Sequence, residues 1–373
     1  MTALTTTMPL TVRMRRSPFF ARSHAAGARS YIVYNNMLIA THFEGAEADY
    51  RHLKRGVQLW DVGCERQIEI AGPDAARLVQ LSTPRDIRRM ADDQCYYIPT
   101  VDGDGHMTND PVLVKVDAGR YWVSIADSDQ ILFYKGVAAA LNLNVRVFEP
   151  AVSPLGIQGP NADALVGRVF GEAATKVRFF RHVRVDVDGT PMVLARSGYS
   201  LQGGYELYFE GEDGSALWDR LMDAGEGLDV RAGSPCQAER VEGGLLSYLS
   251  DITDDMTPFE AGLGRFCDID TDTDTGCLGL AALRAKREPT RQVRPLRIDG
   301  PPVPPMGTFW PITTPAGEPA GRVSSCTWSW SFEQNVAIAL VDRAHWDAGT
   351  ALRVVTPDGE RSAEVLARFP GRG

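Results

Sequence analysis

Two separate segments each place a carboxylate next to residues that are typical of turns and open loops. Segment 105–111 reads GHMTNDP and puts Asp110 before a proline at the head of an apolar hairpin. Segment 196–206 reads RSGYSLQGGYE and ends in Glu206. An ionised carboxylate only accepts hydrogen bonds, and it stabilises positive charge nearby. Each residue also has an ordinary interpretation, because an Asp in a turn bonds nearby backbone and a strand Glu often faces solvent.

Glycines and aromatic residues accompany the two carboxylates. Glycine lacks a Cβ, so a glycine-rich approach to Glu206 would let a flat heterocycle lie close to the backbone. The glycines are Gly198, Gly203 and Gly204. The tyrosines that could stack on such a ring are Tyr97, Tyr199 and Tyr205. An ordinary loop is the alternative, and the spacing matches neither a dinucleotide fingerprint nor a phosphate-binding loop.

Composition limits the partners of the chain. The 373 residues carry 39 Lys and Arg against 48 Asp and Glu, a net charge of −9, which argues against nucleic acid and anionic membranes. No apolar run approaches the roughly 20 residues of a membrane span, and no secretory signal is recognisable. The six cysteines lack C-x-x-C spacing, so we expect reduced thiols, no metal site and a cytoplasmic protein.

A repeat predicts two related α+β units, at approximately 1–150 and 151–285. Residues 67–79 read as an alternating strand, a Gly-Pro start and a helix, and residues 155–166 repeat this order 87 positions later. A hairpin follows each copy, with turns at 117–119 and 188–189, and then a helix at 129–141 or 214–224. Duplication explains this order better than coincidence.

The end of the chain predicts a different kind of module. A stretch rich in Arg and Pro covers 285–305, and short β-type runs separated by turn signals follow it. We therefore expect a small β-barrel or sandwich at 286–373. The acidic run 268–276 resembles a calcium loop, but Thr275 and Ala281 stand where an EF-hand needs Gly and Glu. A solvated acidic loop is the better interpretation.

Segment 196–206 resembles the R-T-G-Y-T-G-E-x-G-Y-E segment of the glycine-cleavage T-protein (aminomethyltransferase) family. The resemblance implies that Glu206 hydrogen-bonds the pterin ring of tetrahydrofolate and that Asp110 is the catalytic carboxylate near N5 and N10. It also implies that Tyr97 and Tyr199 contact the folate and that Arg240 faces its anionic tail. For Arg240, an ion pair on a helix surface is the alternative.

Within this family the chain resembles the tetrahydrofolate-dependent dimethylsulfoniopropionate demethylases over nearly its whole length. The matching runs are 31–38, 52–54, 60–62, 65–67, 83–86, 96–99, 109–112, 124–127, 148–150 and 200–204. By the same resemblance, Ser124 and Phe180 line the folate pocket. Asn36 and His106 depart from the demethylase pattern, which has His and Gly there.

We therefore expect a methyltransferase that moves a methyl group from dimethylsulfoniopropionate to N5 of tetrahydrofolate. The residues expected to border the methyl donor are Tyr31, Tyr34, Asn36 and His106. The departures leave open another S-, N- or O-methyl donor, or delivery of one-carbon units from folate. A non-catalytic folate-binding accessory protein is a third alternative, but the K-G-C-Y-x-G-Q-E motif of those proteins is absent at 93–99. The expected partners are the methyl donor and folate. The sequence leaves open whether the chain forms a homodimer.

Overall fold

The computed structural model describes residues 11–270 and 274–372. Within them the helices are α1 Phe20–Ala25, α2 Ala46–Leu53, α3 Ala75–Ser82, α4 Gln130–Ala140, α5 Ala162–Phe170, α6 Ser215–Ala224, α7 Gln237–Glu242 and α8 Leu280–Ala285. The strands are β1 Ser30–Tyr34, β2 Met37–His42, β3 Val57–Asp61, β4 Gln67–Ala71, β5 Cys95–Tyr97, β6 Thr100–Val101, β7 Met107–Asn109, β8 Val112–Asp117, β9 Arg120–Ser124, β10 Arg146–Phe148, β11 Val152–Gln158, β12 His182–Val187, β13 Thr190–Ala195, β14 Gly204–Glu210, β15 Val230–Gly233, β16 Arg291–Ile298, β17 Trp310–Thr313, β18 Pro319–Ser329, β19 Gln334–Asp342, β20 Ala351–Thr356 and β21 Gly359–Val365.

Two sheets pack face to face in the N-terminal part of the chain. The first has the order β10-β4-β9-β8-β5, and the second has the order β12-β13-β14-β11-β3-β15. All neighbouring strands are antiparallel except β15 and β3. Side chains from both sheets meet between them, where the rings of Trp122 and Tyr208 lie 5.9 Å apart. The inner faces of the sheets therefore define one buried layer.

Helices cover the outer face of each sheet. Ile68 and Ile70 of the first sheet pack in one core with α3 and α4, and Leu207 of the second packs with Trp218 and Leu221 of α6. Successive side chains of a strand point to opposite faces, so one set faces the helices and the other faces the neighbouring sheet. The result is a four-layer arrangement of helices, sheet, sheet and helices.

The predicted repeat corresponds to two similar strand-to-helix turns. Gly72 has φ +137° between β4 and α3, and Gly159 has φ +128° between β11 and α5. A Cβ at Gly72 would lie 2.6 Å from a backbone oxygen of Asn144, and one at Gly159 would lie 2.4 Å from that of Gly56. Both turns therefore require glycine. The predicted hairpins are β8–β9 and β12–β13, and the predicted closing helices are α4 and α6.

The C-terminal strands form a closed barrel in the order β16-β19-β18-β17-β20-β21. Its interior is filled by apolar side chains that include Leu296, Trp310, Ala339 and Val354. The barrel alternative is thus the one observed, and sheet closure removes exposed strand edges. Helix α7 packs against β18 and β19 and joins the barrel to the rest of the chain.

Part of the acidic run, residues 271–273, lies outside the described residues. Within residues 11–270 and 274–372, no group of three His, Cys, Asp or Glu side chains is placed to hold a metal ion. The six cysteines are free thiols. In that same part of the chain, no helix combines the length and the apolar character needed to cross a bilayer.

Candidate functional site

A buried asparagine fixes the position of Asp110 between strands β7 and β8. The Asn109 Oδ1 atom accepts hydrogen bonds from the backbone N–H groups of Asp110, at 2.9 Å, and Ala126, at 3.1 Å. Its Nδ2 donates to the Ala126 carbonyl and to the Ser128 hydroxyl. Asn109 is fully buried, so these bonds face no competition from water. The backbone at Asp110 is therefore held rigidly against the segment that follows β9.

The Asp110 carboxylate accepts a hydrogen bond of 2.8 Å from the Tyr97 hydroxyl. Burial raises the pKa of Asp110 to about 7, although the bond from Tyr97 acts in the opposite direction. Burial and the charge of Asp110 raise the pKa of Tyr97 well above its usual value, so Tyr97 stays a neutral donor. Asp110 can thus exist in either protonation state near neutral pH, which is the property of a group that handles protons or developing charge.

Glu206 lies on β14 and points into the layer between the sheets. It is 8% exposed, and the Ser197 hydroxyl donates to its Oε2 atom. In the sheet register its neighbours are Gly156 and Ala195, so no large side chain covers it from an adjacent strand. Burial raises the pKa of Glu206, while hydrogen bonds from Ser197 and Tyr208 lower it.

Glu65 is a third carboxyl group of the same pocket. Burial raises its pKa well above the usual value, and the charges of Glu206 and Asp110 raise it further. Carboxyl groups that share a poorly solvated site cannot all ionise freely, so these neighbours favour the protonated form of Glu65. Sequence reasoning missed Glu65 as a site residue. The available signal was the alternation of polar residues at 65, 67 and 69: β4 turns Gln67 and Glu69 away from the helices, and Glu65 lies in the turn just before that strand.

Gln67 presents an unpartnered acceptor in this layer. Its Nε2 atom donates to the Ser124 hydroxyl at 2.8 Å and to the Glu65 carbonyl at 2.7 Å. Its Oε1 atom is buried and has no hydrogen-bond partner among the described residues. A buried acceptor without a partner is costly, which indicates a place for a donor group of a bound molecule. Ser124 and Gln67 lie opposite each other in the first sheet, in the same row as Val112 and Tyr97.

Two tyrosines close the pocket beside the carboxyl groups. Tyr34 and Tyr199 pack against one apolar cluster that includes Trp60, a fully buried core residue. Burial raises the pKa of each tyrosine, and the charges of Glu65 and Asp110 add to this effect. The structure therefore brings Tyr34, Tyr199 and the two carboxyl groups together. The Tyr199 hydroxyl donates to the carbonyls of residues 245 and 246, which fixes its ring.

Three of the predicted substrate residues have their contacts elsewhere. The Tyr31 hydroxyl lies 2.7 Å from Nδ1 of His24, beside helix α1. Asn36 is exposed in the β1–β2 turn, and its carbonyl accepts a backbone bond from residue 15. His106 lies in the β6–β7 turn with its Nε2 atom 2.9 Å from Nζ of Lys286. Their predicted contacts with a methyl donor stay predictions.

Two further aromatic residues flank the layer between the sheets. Phe180 is half-buried, has φ +57°, and packs against the cluster that contains Tyr208. Its predicted contact with folate stays a prediction. The expectation that Tyr205 stacks on a ligand beside Glu206 is wrong. Neighbouring strand residues point to opposite faces, and the Tyr205 hydroxyl donates to Asp163 on the helix-covered side.

Arg240 is a buried ion-pair residue of helix α7. Its guanidinium donates to Asp251 at 2.8 Å, to the Ser325 hydroxyl of the barrel at 2.8 Å, and to Gln237 and the Leu245 carbonyl. Arg240 is 8% exposed, so the pair is buried rather than on a helix surface. This network joins the barrel to the N-terminal part. Contact of Arg240 with a folate tail stays a prediction.

Asp61, at the end of β3, is another buried carboxyl group. The Ser17 hydroxyl donates to it at 2.6 Å, and the Gly63 backbone N–H donates at 3.3 Å. Burial raises the pKa of Asp61 to about 6, although both hydrogen bonds act in the opposite direction. Ionisation of Asp61 therefore lowers the stability of the folded protein, because the hydrogen bonds from Ser17 and Gly63 do not replace the hydration that the carboxylate loses on burial.

Comparison with known families and structures identifies the protein family to which the chain belongs. The family described as "GCVT N-terminal domain" matches residues 19–271, and "Glycine cleavage T-protein C-terminal barrel domain" matches residues 291–370. The chain belongs to the glycine cleavage T-protein family. The predicted family is thus confirmed, and so is the predicted α+β fold with a small C-terminal barrel.

Relatives of this T-protein family member cover nearly its full length. The dimethylsulfoniopropionate demethylase DmdA of Ruegeria pomeroyi is 52% identical, with 96% of this chain and 97% of that protein aligned. A probable aminomethyltransferase of Halobacterium salinarum is 28% identical, with 94% and 97% aligned. The crystal structure of glycine cleavage system aminomethyltransferase T from Bartonella henselae matches with a TM-score of 0.84 at 20% identity, over 96% of this chain and 98% of that one. This structural likeness concerns the fold.

Proposed function

We propose that the protein is a tetrahydrofolate-dependent methyltransferase that demethylates dimethylsulfoniopropionate. Identity of 52% over 96% of the chain to a protein named as a dimethylsulfoniopropionate demethylase supports this choice of substrate. The observation that carries the proposal is the proximity of three buried carboxyl groups, since the charges of both Asp110 and Glu206 raise the pKa of Glu65.

The pocket suits the donor edge of a reduced pterin. Adjacent N–H groups of a pterin need acceptors, and Glu206 and the free Oε1 atom of Gln67 offer them in the buried layer. Tyr97 and Tyr199, whose hydroxyls are engaged, leave their ring faces for contact with the folate. Binding at this point would supply the missing donor for Gln67 and offset part of the cost of burying these polar groups.

Asp110 would act on the charge that develops at N5 of the folate. The N5–CH3 bond forms as the S–CH3 bond breaks, and the sulfur keeps the bonding electron pair and leaves as a neutral thioether. N5 becomes positively charged, and its proton can pass to the ionised Asp110. A carboxylate positioned beside this charge stabilises the transition state more than the neutral ground state. The leaving group needs no acid, so the Tyr97 hydroxyl orients Asp110 and donates no proton in the reaction.

Tyr34 and Tyr199 are suited to hold the positively charged sulfonium. A cation over the face of an aromatic ring is attracted by the ring quadrupole, and the effect strengthens when water is excluded. Both tyrosines lie close enough to Glu65 and Asp110 for these two charges to raise their pKa values. The methyl donor would therefore enter beside these tyrosines, between the carboxyl groups and the apolar cluster.

We further propose a cytoplasmic location, since all six cysteines are free thiols. For the organisation of the chain we propose folate-binding units at approximately 1–150 and 151–285 and a barrel domain at 286–373. Folate and the methyl donor are the proposed partners. A homodimer is compatible with the sequence, and size-exclusion chromatography with light scattering would determine the oligomeric state.

The test is an anaerobic assay of the purified protein with tetrahydrofolate and dimethylsulfoniopropionate, in which chromatography follows 5-methyltetrahydrofolate. We expect product that requires both reactants. Calorimetric binding of tetrahydrofolate without product would retain the folate site and redirect the search to another methyl donor, or to transfer from folate as in the aminomethyltransferase relatives. Absence of folate binding would reject the proposal as a whole.

A further inference from the structure

The tip of the β1–β2 hairpin is inserted into the protein. Strands β1 and β2 form a two-stranded sheet of their own, and such a hairpin has little stability by itself. Asn35 and Asn36 at the tip have φ +50° and +59°, the two positive angles of a tight hairpin turn. Turns normally lie at the surface, yet Asn35 is only 3% exposed. The contacts of Asn35 therefore decide where the end of this hairpin lies.

The Asn35 side chain binds the backbone of two other segments. Its Nδ2 atom donates to the Cys64 carbonyl at 2.9 Å and to the Ile125 carbonyl at 3.3 Å. Its Oδ1 atom accepts the Ser128 backbone N–H at 3.0 Å. The Asn35 backbone N–H adds a bond of 2.9 Å to the Asp127 carboxylate. A buried amide with both ends bonded to backbone fixes the relative positions of the segments that it joins.

Segment 125–128 connects Asn35 to the proposed catalytic carboxylate. The Nδ2 atom of Asn109 donates to the Ser128 hydroxyl at 2.8 Å, and the Oδ1 atom of Asn109 accepts the Asp110 backbone N–H at 2.9 Å. Two buried asparagine side chains thus bind the same short segment. A displacement of this segment on the Asn35 side would be transmitted through Asn109 to Asp110.

The chain neighbours of Asn35 and Cys64 belong to the methyl-donor side of the pocket. Tyr34 directly precedes Asn35, and its ring packs against the apolar cluster described above. Glu65 directly follows Cys64, whose carbonyl accepts the Asn35 amide. One side chain therefore joins the tyrosine proposed to hold the sulfonium, the chain at Glu65, and the segment that orients Asp110.

We propose that Asn35 is a positioning residue that holds the methyl-donor side of the pocket in a fixed relation to Asp110. This inference rests on the proposed function, because it concerns the alignment of the two reactants. An in-line methyl transfer needs the sulfur, the methyl group and N5 on one line, and a misplacement of about 1 Å can lower the rate by about 10²-fold. Asn35 acts through Tyr34 and segment 125–128, which it holds together.

The first test is hydrogen exchange, followed by mass spectrometry, of the N35G variant. Glycine keeps the turn because it adopts positive φ readily, and it removes the three hydrogen bonds of the Asn35 side chain. Peptides that contain residue 110 and residues 126–128 should both exchange about tenfold faster. The matched control is N142G, at an exposed residue with φ +48°, which should leave both peptides unchanged. Unchanged exchange of both peptides in N35G would overturn the inference.

The second test separates positioning from a general loss of structure. In N35G the kcat for methyl transfer should fall about 10–100-fold. The calorimetric Kd for tetrahydrofolate should stay within about threefold, because the Glu206 carboxylate is held by Ser197 and not by Asn35. In the D110N background the same substitution should lower kcat less than about threefold, since residues that act through one another are not additive.

The outcomes distinguish the inference from the proposed function. An equal loss of kcat in both backgrounds would indicate a loss of active protein and would overturn the positioning role, as would a loss of the same size in N142G. Absence of turnover by the unchanged protein would reject the proposed substrate. The exchange experiment needs no turnover, so it would still decide whether Asn35 holds Asp110 in place.

Discussion

Replacing Asp110 with Asn tests the electrostatic mechanism directly. The Asn side chain keeps the volume of Asp, and its oxygen can still accept the hydrogen bond from Tyr97, so folate binding should persist. The negative charge beside N5 is lost. Removal of one well-placed electrostatic contact to a transition state typically lowers kcat by about 10²–10³-fold. We expect a loss of this size at pH 8, where Asp110 is mostly ionised.

The pKa of about 7 gives this prediction a second, independent readout. Burial raises the pKa, so the reactive ionised form appears as the pH rises through 7. It makes up about one tenth of the free enzyme at pH 6 and about nine tenths at pH 8, hence kcat/KM should rise about tenfold between them. In D110N this rise should disappear.

The assay is the initial rate of 5-methyltetrahydrofolate formation at a series of pH values. The control is D104N, the same substitution at an exposed position of the β6–β7 turn, which should retain the activity and pH profile of the unchanged protein. A D110N enzyme with kcat within threefold of the unchanged protein at pH 8 would refute the mechanism. Persistence of the tenfold rise in D110N would assign the titration to another group, such as Glu65.

Three further predictions concern binding and stability. E206Q replaces one acceptor oxygen with a donor, so the Kd for tetrahydrofolate in calorimetry should rise about 10–100-fold, and an unchanged Kd would exclude Glu206 from the folate site. Asp61 has a folded pKa of about 6, above its unfolded value, so its stabilising contribution is full at low pH and is lost as the pH rises through 6. D61N should therefore stabilise the protein at pH 8 by about 1–3 kcal/mol in urea unfolding and have little effect at pH 4; equal stability at pH 8 would contradict this. R240Q leaves Asp251 buried without its cation and should lower the free energy of unfolding by about 3–5 kcal/mol, whereas R353Q, at an exposed pair, should change it by less than about 1 kcal/mol.

The fold was predictable where local sequence dictates backbone geometry. Gly72 and Gly159 introduce turns that no other residue fits, and the Asp188-Gly189 pair has the two positive φ angles of a tight hairpin turn. These local signals are sufficient to predict the repeated order of strand, turn and helix, because they do not depend on tertiary contacts. How the two sheets face each other depends on long-range pairing, such as that of Trp122 with Tyr208, and no local pattern reveals it.

The candidate site was predictable only in part, for a similar reason. Asp110 was identified by its turn, but Glu65 was overlooked because its significance depends on the charges of residues 45 and 141 positions away in the chain. Tyr205 was misplaced because a one-residue step along β14 changes the face on which a side chain lies. The involvement of Arg240 in the barrel interface depends on Ser325, which is 85 residues distant.

The charge balance of the pocket connects its structure with the chemistry proposed for it. Asp110, Glu65 and Glu206 are close enough for the charges of Asp110 and Glu206 to act on Glu65, and no ion pair neutralises any of the three among the described residues. Arg240, which the resemblance assigns to the folate tail, is already paired with Asp251. Burial therefore leaves these carboxyl groups partly protonated and short of favourable partners. A substrate pair that brings N–H donors and a sulfonium supplies the hydrogen bond that Gln67 Oε1 lacks and the positive charge that the carboxyl groups lack. When the methyl group moves, the positive charge passes from sulfur to N5, and the carboxyl groups stay in place to stabilise it at both ends of the transfer.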